Sequence, residues 1–178
     1  MPKTYADDLA ATLPLFSSRV FGSVTNTILG SAVPAGQVGA SSSGGHYMQP
    51  IVVPDDMDVS ASSSLKVFVA PAANSLVNGQ YVRFTLVATT MAHKGARVDT
   101  SFNYDWPVPD GWLASDNELV TLDNGSGFSF DPDLFTPGQL VGFRITRDGP
   151  NAADTFAQSL LIAQHGFLEY TTGVGCRL

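Results

Sequence analysis

The chain has 178 residues, of which 44% are hydrophobic and only 14% are charged. Nine Lys and Arg residues against sixteen Asp and Glu residues give a formal net charge of -7 at pH 7. A chain of this length suits one domain with a sizeable core, and its low charge argues against overall disorder. Binding to nucleic acid needs clustered basic charge, so the composition also argues against that class of partner.

The first residues and the cysteine content bear on the cellular compartment. Asp7 and Asp8 stand where a secretory signal would have its apolar core. The one cysteine, Cys176, cannot form a disulfide within the chain. No apolar run approaches the roughly 20 residues that a membrane-spanning helix needs. We therefore expect a soluble protein of the reducing cytosol, without a membrane partner.

The N-terminal quarter differs in composition from the rest. Residues 6–13 predict a short helical turn, and residues 17–29, rich in Thr, Val and Ser, favour an extended strand. Residues 30–47 (GSAVPAGQVGASSSGGHY) are dense in Gly and Ser, which is typical of a flexible linker. We therefore expect residues 1–48 to form an extended arm ahead of a β-sandwich domain at residues 49–178. Such an arm either stays loose or lies along a neighbouring subunit.

From residue 48 onward, apolar and polar residues alternate with a period of two. The alternation occurs at residues 65–70, 81–88, 101–106 and 141–146, and it places one face of each strand on a core. Residues 159–170 are apolar on both faces, as in a central strand that is covered on both sides.

Turn-forming residues separate these segments. The turn signals are Asn78-Gly79, Lys94-Gly95, Asp110-Gly111, Asn124-Gly125, Pro137-Gly138 and Asp148-Gly149-Pro150. Short strands divided by such turns, with no helical period between them, are typical of an antiparallel sandwich or barrel. The sequence predicts an all-β protein, and specifically an antiparallel β-sandwich.

No spacing in the sequence indicates catalysis. A nucleophile elbow, a phosphate loop and a His-Glu-x-x-His motif are all missing from the sequence. His46 and His93 are predicted at the surface, and His165, in the doubly apolar strand, is predicted to be a hydrogen-bonded core or interface residue. Structural zinc needs four close ligands, which three separated histidines do not supply. We therefore expect a noncatalytic protein without a metal or cofactor.

Fourteen of the sixteen acidic residues are aspartates. They group in predicted loops, as Asp55, Asp56 and Asp58, as Asp131 and Asp133, and as Asp148 with Asn151 and Asp154. Calcium favours oxygen-rich loops, but aspartate is also common in turns, where its carboxylate accepts hydrogen bonds from nearby backbone amides. No group has the spacing of a calcium-binding loop, so we prefer the turn interpretation and keep calcium as the alternative.

The aromatic residues 104–112 (YDWPVPDGW) are the best candidate for a binding surface. Trp106 and Trp112 lie beside Asp and Pro residues in a predicted loop, where they could stack on a sugar ring. Trp106 also continues the alternating face of Tyr104, and Trp112 could close one end of a sandwich. We prefer a core or subunit-interface role for these rings, since aromatics often anchor both.

The C-terminal half resembles a known family. Residues 135–148 (FTPGQLVGFRITRD), residues 151–156 (NAADTF) and a long strand that ends in Leu168-Glu169-Tyr170 resemble the closing part of a β-sandwich in structural proteins of tailed-phage virions. The resemblance covers residues 65–170 and implies a jelly-roll-like fold. In that pattern we expect Arg147 and Asp148 to form an ion pair or turn clamp, with Asp154 and Thr155 capping the next element.

The resemblance implies a noncatalytic head decoration (cement) protein that binds the major capsid protein as a homotrimer. Such a protein lies on the capsid surface of a virion assembled in the host cytoplasm, with its arm over neighbouring subunits. The alternative is a carbohydrate- or receptor-binding module of a phage fibre or baseplate, with Trp106 and Trp112 as the contacts. A hydrolase on the same scaffold would need a metal or a carboxylate pair that we do not find.

Overall fold

The computed structural model describes residues 10–29, 32–122, 130 and 134–173, and their regular structure is entirely β, as predicted. The eleven strands in these residues are β1 (Ala10–Gly22), β2 (Val24–Leu29), β3 (Val33–Val38), β4 (Ser43–Met48), β5 (Ile51–Val52), β6 (Ser64–Pro71), β7 (Tyr81–Met91), β8 (Arg97–Pro107), β9 (Glu118–Leu122), β10 (Leu140–Asp148) and β11 (Leu160–Thr171). Their pairings are antiparallel. The described residues contain no helix long and apolar enough to cross a membrane.

The strands form two layers that share β1. In the first layer, residues 10–16 of β1 pair with β11, which also pairs with β3 and β6, while β2 and β9 lie beyond these. In the second layer, the rest of β1 is followed by β4, β10, β7 and β8, with β5 beside β10. A register shift between Ser17 and Arg19 marks the point where β1 passes between the layers.

The core lies between the layers because the inward faces carry the alternating apolar residues. In β7, Val82 and Phe84 are almost completely buried, and Leu65 and Val67 of β6 face them from the opposite layer with no exposed surface. Each such burial contributes roughly 1.5–3 kcal/mol. The predicted alternation in these strands is confirmed.

Glycine is required at several of the predicted turns. Gly79, Gly111 and Gly138 have φ angles of 70°, 68° and 76°, a region that residues with a Cβ rarely adopt. These turns are confirmed, whereas Asn124-Gly125 lies outside the described residues.

The segment predicted as an arm differs from that expectation in its described part. Residues 10–29 and 32–48 contribute β1 to β4, and β4 lies between β1 and β10 in the second layer. The strand predicted for residues 17–29 is present in β1 and β2. The helical turn predicted at residues 6–13 is not present from Ala10 onward, because β1 begins there, and its earlier part lies outside the described residues. Residue 48 is therefore no boundary between arm and sandwich.

Close strand packing explains why the glycine-rich pattern was misleading. A Cβ on Gly45 would overlap the carbonyl oxygen of Ile145 in β10, and a Cβ on Gly44 would lie 2.7 Å from Cγ2 of Val24. Glycine in a strand marks such close approaches as well as flexible linkers. In β4 it allows neighbouring strands to pack where no side chain fits.

Candidate functional site

The outer face of the second layer carries an open groove of about 760 Å³. The strand register places Arg19, Tyr47, Arg144, Val87 and Ser101 in one row across β1, β4, β10, β7 and β8. All five line the groove. Its volume falls within the range of roughly 300–1,000 Å³ that is typical of small-molecule sites.

A second row extends the groove along the same strands. Gly142, Thr89 and Asp99 lie side by side, followed by Met91 opposite Arg97. Since Gly142 has no side chain, the groove stays open between Arg144 and the start of β10 at Leu140. The groove thus combines apolar, hydroxyl and charged groups.

An aromatic pair lies at the β1 end of the groove. The Tyr47 side chain is 39% exposed, and its ring centroid lies 4.7 Å from that of Phe21 at an interplanar angle of 49°. The guanidinium carbon of Arg144 is 5.8 Å from the centroid of the Phe21 ring, within reach of a cation–π contact. Tyr47 therefore presents an aromatic surface to solvent beside a positive charge.

Polar contacts fix the opposite end. The Thr89 hydroxyl donates to Oδ1 of Asp99 at 2.7 Å, and Nη2 of Arg97 lies 3.1 Å from Oδ2 of the same carboxylate. Exposed ion pairs contribute little to stability. The main effect of these contacts is to hold the side chains that a ligand would meet.

Two arginines of the groove have no carboxylate partner among the described residues. Arg19 and Arg144 form no salt bridge within the described part of the chain. Nε of Arg144 is buried and has no hydrogen-bond partner among the same residues. A polar group left in this state costs free energy. Neither Arg144 nor the exposed Arg19 has to give up a carboxylate partner among these residues in order to donate to a bound ligand.

The tryptophans highlighted by the sequence lie in the core, away from the groove. Trp106 and Trp112 are 8% and 2% exposed, and their rings form an edge-to-face contact at 5.2 Å. Trp112 also packs against Phe156 at 5.7 Å, and the half-buried Tyr104 packs against the same core. These contacts correspond to the preferred, buried interpretation and leave no ring face for a ligand.

Two histidines differ from all or part of their predicted placement. His165 is exposed on the outer face of the first layer, 5.6 Å from the ring of Phe16, so it is not a core residue, and the interface alternative stays a prediction. His46, expected at the surface, is fully buried because it lies opposite Ile145 on the inward face of β4. Desolvation by burial lowers the pKa of His46 from 6.5 to about 4, although a backbone contact with Ile162 partly opposes it.

Arg147 pairs with Asp154, not with Asp148. Both side chains are fully buried. Nε and Nη2 of Arg147 donate to the two carboxylate oxygens of Asp154 at 2.9 Å and 2.8 Å. Asp148 instead accepts a hydrogen bond from Nδ2 of Asn151 at 3.1 Å. Arg147 therefore does form a buried ion pair, but the expected pairing with Asp148 is wrong, because the acidic partner comes from the loop after β10.

Thr155 continues this clamp toward β7. Its Oγ1 accepts a hydrogen bond from the backbone N–H of Tyr81 at 2.8 Å, and its own N–H donates to the Tyr81 carbonyl at 2.9 Å. Thr155 therefore fixes the first residue of β7 and does not take part in the groove.

The aspartate groups form turns where they are described. Oδ1 of Asp58 accepts hydrogen bonds from the backbone N–H and the hydroxyl of Ser60 at 3.0 Å and 2.6 Å, which lower the pKa of Asp58. Asp131, Asp133 and Cys176 lie outside the described residues. In the part of the chain that the structure describes, no three His, Cys, Asp or Glu side chains are arranged to hold a metal ion.

The groove could not be predicted from the sequence. Arg19 and Tyr47 lie in the segment assigned to the arm, and the row that joins them to Arg144 depends on the register of five strands. The alternation at residues 141–146 does predict that Arg144 lies on the outward face, and this was the one feature of the sequence that pointed to the groove.

Comparison with known proteins found similar solved structures but no relative by sequence. No protein-family model and no curated protein matches the chain. TmCBM61 in complex with β-1,4-galactotriose is 12% identical, with a TM-score of 0.41 and coverage of 85% of this chain and 88% of that one. The lectin UEA-II complexed with galactose is 13% identical, with a TM-score of 0.36 and coverage of 94% and 100%.

A chain from infectious bursal disease virus, Gt strain, matches at 10% identity and a TM-score of 0.23, over 98% of this chain and 44% of that one. TM-scores below 0.5 are too low for any of these likenesses to indicate what this chain binds.

Proposed function

We propose that the chain is a noncatalytic carbohydrate-binding module whose ligand lies in the groove of the second layer. The observation that carries this proposal is the exposed ring of Tyr47 between Arg19 and Arg144 in one row of side chains. A sugar ring has an apolar C–H face and several hydroxyl groups. A site with an aromatic surface beside hydrogen-bond donors and acceptors therefore suits a sugar ring.

The shape of the groove supports a chain-like ligand. Its lining residues extend from β1 to β8 across five neighbouring strands, a span of roughly 20 Å at the usual spacing between strands. Val87 and Met91 supply apolar surface, while Thr89 and Ser101 supply hydroxyl groups. A saccharide of several units would meet both kinds of surface along its length.

The number of carboxylates in the groove supports a binding role without hydrolysis. Asp99 is the acidic residue that lines it, and this carboxylate is engaged by Thr89 and Arg97. Glycoside hydrolysis generally uses two carboxyl groups on either side of the scissile bond. The described lining offers one, so we propose recognition rather than cleavage.

An array of immobilised glycans, followed by calorimetric titration of the best ligand, tests this function. We expect Tyr47→Ala to weaken binding about tenfold or more, because it removes the exposed ring that stacks on the sugar. Tyr81→Ala is the matched control, since Tyr81 is also an exposed tyrosine of the second layer but does not line the groove. The proposal fails if no glycan binds, or if the two variants lose affinity equally.

A virion structural role is the second candidate: a homotrimeric head decoration protein bound to the major capsid protein on a particle assembled in the host cytoplasm. The apolar outer face of the first layer favours it. Phe16, Val33, Phe68 and Leu119 are 38–48% exposed there, and Val33 and Phe68 line a shallow pocket of about 300 Å³ with His165. Exposed apolar patches mark surfaces that other protein covers.

For this second candidate we propose a second copy of the chain as the occupant of this face. Its four large side chains expose on the order of 300 Å², enough for the centre of an interface that buries about 800 Å² on each partner. A closed trimer needs two different complementary patches on each subunit, whereas one self-complementary face gives a dimer.

Sedimentation velocity tests the second candidate. A trimer that Phe68→Ser dissociates would support it. A dimer would overturn the trimeric decoration role while keeping self-association through this face, and a monomer at high concentration would overturn both.

A further inference from the structure

The geometry points to an acidic saccharide as the ligand of the groove, with carboxylate or sulfate groups that pair with Arg144 and Arg19. This inference rests on the proposed carbohydrate-binding function, because it concerns the same groove. It adds the charge of the ligand, which the proposed function leaves open.

The distribution of charge is the first argument. Arg19, Arg97 and Arg144 line the groove, against Asp99 as its acidic residue. Three of the nine basic residues of the chain therefore meet at one surface of a protein whose net charge is -7. A local positive field of this kind attracts an anionic ligand despite the overall repulsion, whereas a neutral sugar gains nothing from it.

The second argument is the state of the individual arginines. On the same outer face, Arg83 is already paired with Asp105 at 2.7 Å, and Arg97 is paired with Asp99 at 3.1 Å. Arg144 has no carboxylate partner among the described residues, and this sets it apart from the other two, since a buried Nε without a hydrogen bond is found in Arg83 as well. An anion from the ligand would supply the acceptor that this guanidinium lacks.

Arg144 also lies beside the aromatic surface. Its Cα is opposite that of Tyr47 in the strand register, and its guanidinium carbon lies 5.8 Å from the Phe21 ring. A planar guanidinium that is held in this way can bind a carboxylate or sulfate through two parallel hydrogen bonds. A sugar stacked on Tyr47 would place its substituents within reach of Arg144 on one side and Arg19 on the other.

Matched pairs of polysaccharides test the inference. Each pair shares one backbone and differs in charge, for example polygalacturonate against its fully methyl-esterified form, and sulfated glycosaminoglycans against their desulfated forms. The full chain is titrated with an array of such pairs at low and high salt, together with a single-stranded DNA oligonucleotide as a non-saccharide polyanion.

We expect at least one acidic member to bind about tenfold or more tightly than its neutral partner, since hydrogen bonds to charged groups are the stronger ones. That preference should decrease as salt rises. Arg144→Gln should lose much more affinity for the acidic member than for its neutral partner, so that the preference disappears. Arg83→Gln, on the same sheet face but outside the groove, should retain the preference.

The outcomes separate the inference from the function on which it rests. Equal or tighter binding of the neutral members would overturn the inference and leave the proposed function intact. Failure of every glycan to bind would overturn both. DNA binding as tight as that of the best acidic glycan, with the same loss in Arg144→Gln, would overturn the assignment to a saccharide.

Discussion

Replacement of Arg147 should destabilise the sandwich strongly, because this side chain holds three segments together from a fully buried position. Besides its two bonds to Asp154, the guanidinium donates hydrogen bonds to three backbone carbonyl oxygens. These acceptors belong to Val38, Gln158 and Phe156, at 3.3 Å, 2.7 Å and 2.6 Å. It therefore joins the end of β3 to the loop that leads into β11.

The size of the effect follows from what each substitution leaves unpaired. Removal of one partner of a buried ion pair costs roughly 3–5 kcal/mol. Arg147→Met leaves three carbonyl oxygens without this donor and leaves the buried Asp154 carboxylate with the backbone N–H groups of Arg83 and Phe156 but no cation, whereas Asp154→Asn keeps one oxygen as an acceptor. We therefore expect Arg147→Met to be the more damaging, with a loss in melting temperature of roughly 10 °C for a chain of this length.

Urea unfolding followed by tryptophan fluorescence measures the change in the free energy of unfolding, and thermal unfolding measures the change in melting temperature. The control is Asp105→Asn, which breaks the more exposed pair with Arg83 and should cost less than about 1 kcal/mol. If Arg147→Met lowers the free energy of unfolding no more than Asp105→Asn does, the structural role assigned to this clamp is wrong.

Two further predictions concern the buried aromatic and imidazole groups. Burial lowers the pKa of His46 to about 4, against 6.5 in the unfolded chain, so the unfolded state binds the proton first as the pH falls. The stability contributed by neutral His46 is thus complete above pH 6.5 and is lost toward pH 4, by on the order of 3 kcal/mol. His46→Gln should flatten the pH dependence of urea unfolding, and an unchanged slope would contradict this reasoning. Trp112→Ala should cost roughly 3–5 kcal/mol by removing a core ring. Thermal unfolding should show that Trp112→Ala is less stable, and glycan titration should show that its folded fraction still binds. A loss of binding with stability intact would instead place Trp112 in the site.

The core strands could be predicted from the sequence because their pattern is local. Val82 and Phe84 alternate with polar neighbours, and this period alone indicates a strand with one buried face. The same reasoning failed at Gly44 and Gly45, because glycine in a linker and glycine between closely packed strands look alike in the sequence. The two kinds of glycine differ in whether another strand lies close by. Here that strand is residues 140–148, and its position cannot be read from the sequence around the glycines.

The candidate site was harder to predict for a related reason. Trp106 and Trp112 were candidates for a binding surface because they are large aromatic residues near Pro and Asp, but their rings pack against the core. The exposed aromatic residue of the groove is Tyr47, whose partners Arg19 and Arg144 are brought together by strand pairing across long sequence separations. Arg147 was expected to pair with Asp148, whereas its partner is Asp154, which could not be chosen without the conformation of the loop.

The binding of a saccharide in the groove is tested most directly by amide chemical-shift mapping on the ¹⁵N-labelled full chain. The protein is titrated with the tightest ligand from the glycan array. We expect the largest shift changes at Tyr47, Arg144 and Thr89, in β4, β10 and β7. Changes centred on Phe68 and the outer face of the first layer, or no saturable changes at all, would contradict it.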